Sequence, residues 1–161
     1  MEKFIERLNK IHIAISGVFL AIFFVVVVLQ VICRIIGIAV IWTEDITMYS
    51  FIWSVFLGAS AMIYPERHFA FTSLNEHIKS PLSKAILHLC IMCLMFIFMV
   101  LLLKYGIFIT RKFWNYRCTA LPQLKRGWTW LCLPVSGACG CIYLLQKIAA
   151  DIKKICKGGT N

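Results

Sequence analysis

Apolar residues in this chain gather into long unbroken runs, with polar residues confined to short stretches between them. Four runs, 11–33, 46–64, 85–103 and 128–146, are each long enough as helices, at about 1.5 Å per residue, to cross roughly 30 Å of hydrocarbon. The pattern predicts an all-α integral membrane protein, a single four-helix domain over residues 1–161. The stretch between the second and third runs adds a helical signal of its own. Ser73 and Glu76 form a capping box, and Phe71, Leu74 and Ile78 share one face, which predicts a short amphipathic helix lying on the membrane surface. Pro81 after Ser80 then suits the first position of the third helix, since its missing N–H costs nothing there. That helix is expected to continue past Gly106 to about Trp114 and, being longer than the bilayer requires, to tilt or project.

Composition agrees and narrows the class. The chain is 61% hydrophobic and 15% charged, against about a quarter charged in soluble domains. The connections are too short to fold into a separate catalytic domain. Lys3, Arg7 and Lys10 ahead of an apolar run resemble a signal peptide, but the run is far longer than such a segment and ends at Arg34 without a small-residue cleavage site, so a retained helix is expected. Cys33, Cys90, Cys93, Cys132, Cys139 and Cys141 fall in or beside the runs, where cysteine packs as a small apolar residue.

Basic residues set the expected orientation. Of 17 Lys and Arg, three precede the first run, one follows it, three lie between runs two and three, six between runs three and four, and four in the tail. An inside amino end puts ten in the cytoplasm and seven outside, a thin majority for the positive-inside rule. The first helix decides it, with three basic residues on its leading flank, and both termini are expected to be cytoplasmic. The third connection resists this rule, because Lys104, Arg111, Lys112, Arg117, Lys125 and Arg126 then face outward with no acid among them. Either Lys125 and Arg126 help steer an acidic partner or anion, or the segment binds anionic headgroups beside a belt of Trp114, Tyr116, Trp128 and Trp130.

Acids are scarce, seven in all, yet two adjoin at Glu44 and Asp45 on the rim of the second helix. Thr43 is placed to cap that helix, and carboxylates in its first turn complement the helix dipole. Arg34, with Gln30 one turn earlier, ends the first helix on the same side, so it could pair with Glu44 or Asp45, or the charges could meet another subunit. Ser50, Ser54 and Gly58 recur every four residues, as do Ser136 and Gly140. Such stripes let helix backbones approach closely in lipid, within this protein or against a second one.

Two chemistries compete with an adhesive role. Cys90 and Cys93 have the spacing of a membrane thiol oxidoreductase, but sit in an apolar helix that disfavours thiolate. His12 and His88 begin two runs on the same expected side and could be imagined as axial haem ligands. A self-sufficient ion-coupled carrier needs an acid within the membrane, and none of the four runs contains one.

In order along the chain come Gln30-Val31 and Arg34, Trp42-Thr43-Glu44-Asp45, Phe56-Leu57-Gly58-Ala59, Arg67-His68, Leu121-Pro122 and Pro134-Val135-Ser136-Gly137. In this order and spacing the chain resembles the small, DctQ-like membrane subunit of tripartite ATP-independent periplasmic (TRAP) transporters. Two departures are Asp45, where the family usually repeats Glu, and the strongly basic third connection. The resemblance implies a non-catalytic scaffold in the bacterial inner membrane, serving sodium-coupled uptake of an organic acid. It implies two protein partners and no nucleic acid: a larger membrane subunit that holds the sodium and substrate sites, and a periplasmic binding protein. No cofactor is implied for this chain. On that resemblance Gln30, Arg34, Trp42, Glu44, Asp45, Ser54, Gly58, His68, Pro134 and Gly137 are expected at subunit or structural contacts.

Overall fold

The computed structural model describes residues 2–65, 81–118 and 120–158. Five helices account for most of them: α1 Glu2–Ile35, α2 Trp42–Ala61, α3 Pro81–Phe113, the single-turn α4 Gly127–Trp130, and α5 Cys132–Gly158. Among the described residues there is no strand, and one isolated antiparallel bridge joins Arg117 to Lys125.

Among the described residues three segments are long and apolar enough to cross a membrane: Lys3–Ile35, Ile86–Phe113 and Gly127–Ala149. The first and fourth predicted spans lie within them, as does the third apart from its first residue, Ala85. The second falls mainly in α2, whose 20 residues measure about 30 Å; its two acids and its Ser and Thr leave it less apolar than the others. Helix α3 begins at Pro81 and reaches Phe113, close to the end expected. The predicted surface helix, with Ser73, Glu76, Phe71, Leu74 and Ile78, lies outside the described residues, as does His68.

Helix α1 stops because Gly37 takes a positive φ of 82°, a conformation that costs glycine little. The Ile38 amide then bonds the Cys33 carbonyl at 2.9 Å, and the Gly37 amide bonds that of Arg34 at 3.2 Å. This is the paired C-terminal closure in which a glycine reverses the chain. The expected side-chain cap on α2 is absent. Ile41 holds the N-cap position without a side-chain hydrogen bond, because Thr43 lies inside the first turn and donates its hydroxyl to the Val40 carbonyl at 2.6 Å.

Helices α1 and α2 pack as one antiparallel pair, and α3 and α5 as another, with α2 and α5 joining the pairs. The inward side of α1 runs through Ile5, Asn9, His12, Ser16, Phe19, Phe23 and Val26, alternating steps of four and three that keep one narrow seam facing a neighbour. Along it Ser16 meets Gly58, Phe19 stacks on Trp53 at 5.3 Å and Phe23 lies 5.2 Å from Phe51. Most of the rest of α1 is exposed.

The second pair is closer. A methyl group on Gly137 would come within 2.9 Å of the Leu103 backbone nitrogen, and one on Gly106 within 2.9 Å of the Pro134 nitrogen. Gly140 faces Met99 in the same way, at 2.8 Å from its sulfur. Small residues drive helix association in lipid, where apolar burial gives little preference for a neighbour over a lipid tail. Pro134 has no N–H to donate to the carbonyl of Trp130, one turn back. The Thr110 hydroxyl from α3 lies 3.0 Å from that carbonyl and 2.7 Å from the Gly106 carbonyl, sharing its hydrogen between them. Farther along, Ile63, Met92, Met99, Tyr143 and Leu144 form the core with Ile5.

Candidate functional site

The Trp42-Thr43-Glu44-Asp45 motif is divided by the first turn of α2. Thr43 and Asp45 are buried, whereas Trp42 and Glu44 are exposed. The Asp45 carboxylate does not reach Arg34. Its Oδ2 instead accepts the consecutive backbone amides of Ala120 and Leu121, at 3.1 and 3.2 Å. Two adjacent N–H groups converging on one oxygen form an anion-binding concavity, and hydrogen bonds to a charged acceptor are the stronger kind.

Asp45 is the first of three side chains at four-residue spacing that seize the same connection. Tyr49 donates its hydroxyl to the Lys125 carbonyl at 2.7 Å and lies 3.1 Å from the Cys118 sulfur. Trp53 donates its indole N–H to the Trp128 carbonyl at 3.1 Å. The connection is itself folded: the Cys118 amide bonds Leu124, and the Arg126 amide bonds Tyr116 at 2.7 Å. The result is a compact hairpin laid across the end of α2. Tyr49 and Trp53 were missed from the sequence, although their register with Asp45 on one helical face was visible there.

Arg34 makes no ion pair with Glu44 or Asp45. The expected pairing fails because Asp45 turns toward the hairpin, while Arg34 lies with Gln30 beside the 37–40 turn, lining a surface hollow of about 370 Å³. Gln30, Arg34, Trp42 and Glu44 are all exposed, and among the described residues none has a side-chain hydrogen bond or ion pair. They mark an open rim. Ser54 is buried on the inward side of α2, and Gly58 lies against Ser16, where an added methyl would sit 3.9 Å from the serine side chain, in ordinary van der Waals contact. Both therefore serve packing within the chain, as do Pro134 and Gly137. Lys125 and Arg126 sit on the hairpin, with the Lys125 ammonium 6.0 Å from the centre of the Trp114 ring.

His12 has both ring nitrogens near partners, Nδ1 at 3.3 Å from the Tyr143 hydroxyl and Nε2 at 3.4 Å from Ser60 Oγ. Such an arrangement ties α1, α2 and α5 together and leaves neither nitrogen clear for a haem. Cys90 and Cys93 are exposed on α3. Among the described residues no cluster of His, Cys, Asp or Glu could hold a metal ion.

The profile of the DctQ component of tripartite ATP-independent periplasmic transporters matches residues 23–154. The chain belongs to this family. No curated protein compared with it gives a match. The matched region takes in the exposed rim, the three α2 side chains that hold the hairpin, and the α3–α5 contact. As a transporter component with helices able to span a membrane, the chain works in a tripartite assembly. The inward half of its acidic motif is spent on its own fold, and the outward half, Trp42 and Glu44, stays exposed.

Proposed function

We propose that this DctQ-type chain is the non-catalytic scaffold subunit of a sodium-coupled transporter that imports an organic acid. In this reading all four long helices, α2 included, span the bacterial inner membrane with both termini cytoplasmic. The hairpin end then faces the periplasm. The larger membrane subunit carries the sodium and substrate sites, and this chain braces it. The periplasmic binding protein approaches over the hairpin, with Lys125 and Arg126 among its contacts.

One observation carries the reading: Gln30, Arg34, Trp42 and Glu44 stand unpaired on one rim, beside a helix whose most apolar window has 0% of its residues buried. Charged side chains at a membrane edge without partners of their own suit a protein contact. A long apolar face beside them suits a second membrane protein. Glu44→Lys and Trp42→Ala should reduce recovery of the large subunit with the tagged chain from mild detergent, and reduce uptake in parallel, while the tagged chain itself melts as before. Full recovery and full uptake in both variants would refute the assignment of the rim. Charge reversal at Lys125 and Arg126 should weaken uptake most at low salt, where exposed charges are least screened; a salt-independent loss would instead point to packing.

A further inference from the structure

Beyond the contact at Gly106 and Pro134, α3 and α5 part and leave an apolar cleft of about 630 Å³. Ile107, Trp114, Leu131, Val135 and Ala138 give it apolar walls, and Arg111 and Asn115, four residues apart, add polar side chains to its lining. The Arg111 and Asn115 side chains are exposed, and among the described residues neither has a hydrogen bond or ion pair. The geometry points to a site for one phospholipid with an anionic headgroup, one of its two acyl chains in the cleft and its phosphate on the Arg111 guanidinium.

Three features select that occupant. The volume falls in the range of pockets that enclose a ligand of a few hundred Å³, and the apolar walls beneath a single cationic mouth match a lipid from tail to head. A guanidinium binds phosphate through parallel N–H groups, and the amide of Asn115 adds donors beside it. Residues 104–126 hold six Lys and Arg and no acid, and the Asp45 carboxylate that reaches this connection is already engaged by its backbone amides. Trp114, Tyr116 and Trp128 are exposed nearby, as aromatic residues are at the level of headgroups. A helix from another protein fits less well. The closest helix packing needs glycine-like residues, and the glycines that allow it on this pair, Gly106, Gly137 and Gly140, are already consumed between α3 and α5.

The test uses the full chain in phosphatidylcholine vesicles containing a rising fraction of phosphatidylglycerol with brominated acyl chains, read by tryptophan fluorescence, with Trp114→Phe to isolate the Trp114 signal. Quenching of Trp114 by phosphatidylglycerol should saturate at a small mole fraction, reflecting about tenfold enrichment over the bulk, or about 1.4 kcal/mol. Brominated phosphatidylcholine should quench only in proportion to its fraction. Arg111→Gln, an exposed change that leaves the fold alone, and Ala138→Phe, which fills the cleft, should each abolish the saturating component. Proportional quenching by both lipids in the unaltered chain would overturn the site. So would saturation that persists in Arg111→Gln, or loss of the large subunit on cleft filling, which would mean that protein covers the groove.

Discussion

Replacing Asp45 by alanine removes the acceptor for two backbone amides without disturbing any other described contact of that side chain. Each hydrogen bond to a charged group contributes about 1.5 to 3 kcal/mol net, and each amide left without an acceptor costs a comparable amount where water cannot reach it. Asp45 is 8% exposed, so water replaces little of the loss. A weakening of about 3 kcal/mol is expected in the free energy that holds the hairpin shut, with Tyr49 and Trp53 still gripping its far side. Arg117 and Lys125 are exposed on that hairpin, which makes trypsin a local probe. If cleavage proceeds from a transiently opened hairpin, its rate follows the open population, and about 3 kcal/mol corresponds to roughly a hundredfold acceleration. Asp45→Asn keeps an acceptor but loses the charge, and should accelerate cleavage about tenfold, the loss of about 1.4 kcal/mol from the charge-assisted part. Glu44→Ala, one residue away and exposed, should leave the rate unchanged. Equal cleavage rates for Asp45→Ala and the unaltered chain would refute the clamp.

Thr110→Val should lower the melting temperature in detergent, because the Trp130 carbonyl opposite Pro134 loses the donor that completes its hydrogen bonding, at a cost of about 1 to 3 kcal/mol; an unchanged melt would mean that the carbonyl finds another donor. Gly137→Ala should destabilise far more than Gly58→Ala, since the first methyl collides with the backbone of Leu103 and the second meets Ser16 at an ordinary contact distance. Overpacking of that kind costs about 1 to 3 kcal/mol, and equal melting temperatures for the two variants would contradict the close approach of α3 and α5. Gly58→Leu should, by contrast, loosen α1 from α2, seen as faster hydrogen exchange along α1 alone.

The helices were legible because an apolar run of membrane length leaves a chain few other folds. Their ends were less so. Helix α1 reaches back to Glu2 through residues whose charge suggested a tail, yet Ile5, Asn9 and His12 are buried on its inward side, and the Glu6–Lys10 pair at 2.8 Å bridges one outer turn. For Asp45 the sequence offered the nearest opposite charge, Arg34, as partner. The true acceptor role is toward backbone amides 75 and 76 positions later, and backbone groups carry no sequence signature. The Ser50-Ser54-Gly58 stripe suggested close packing on α2, whereas close backbone approaches between α3 and α5 lie at Gly106 and Gly137, which no regular stripe announced because they sit on different helices.

The bare face of α1 bears on how such a subunit changes over evolutionary time. Positions such as Ile11, Ile15, Val18, Ile22 and Val25 are exposed along a helix whose inward seam alone holds it to α2. Apolar exchanges among them leave the protein's own packing untouched, so the fold imposes little constraint on that surface. A membrane that houses two related transporters must keep their small subunits from being traded. On this fold the face of α1 is where that discrimination can be written without loss of stability.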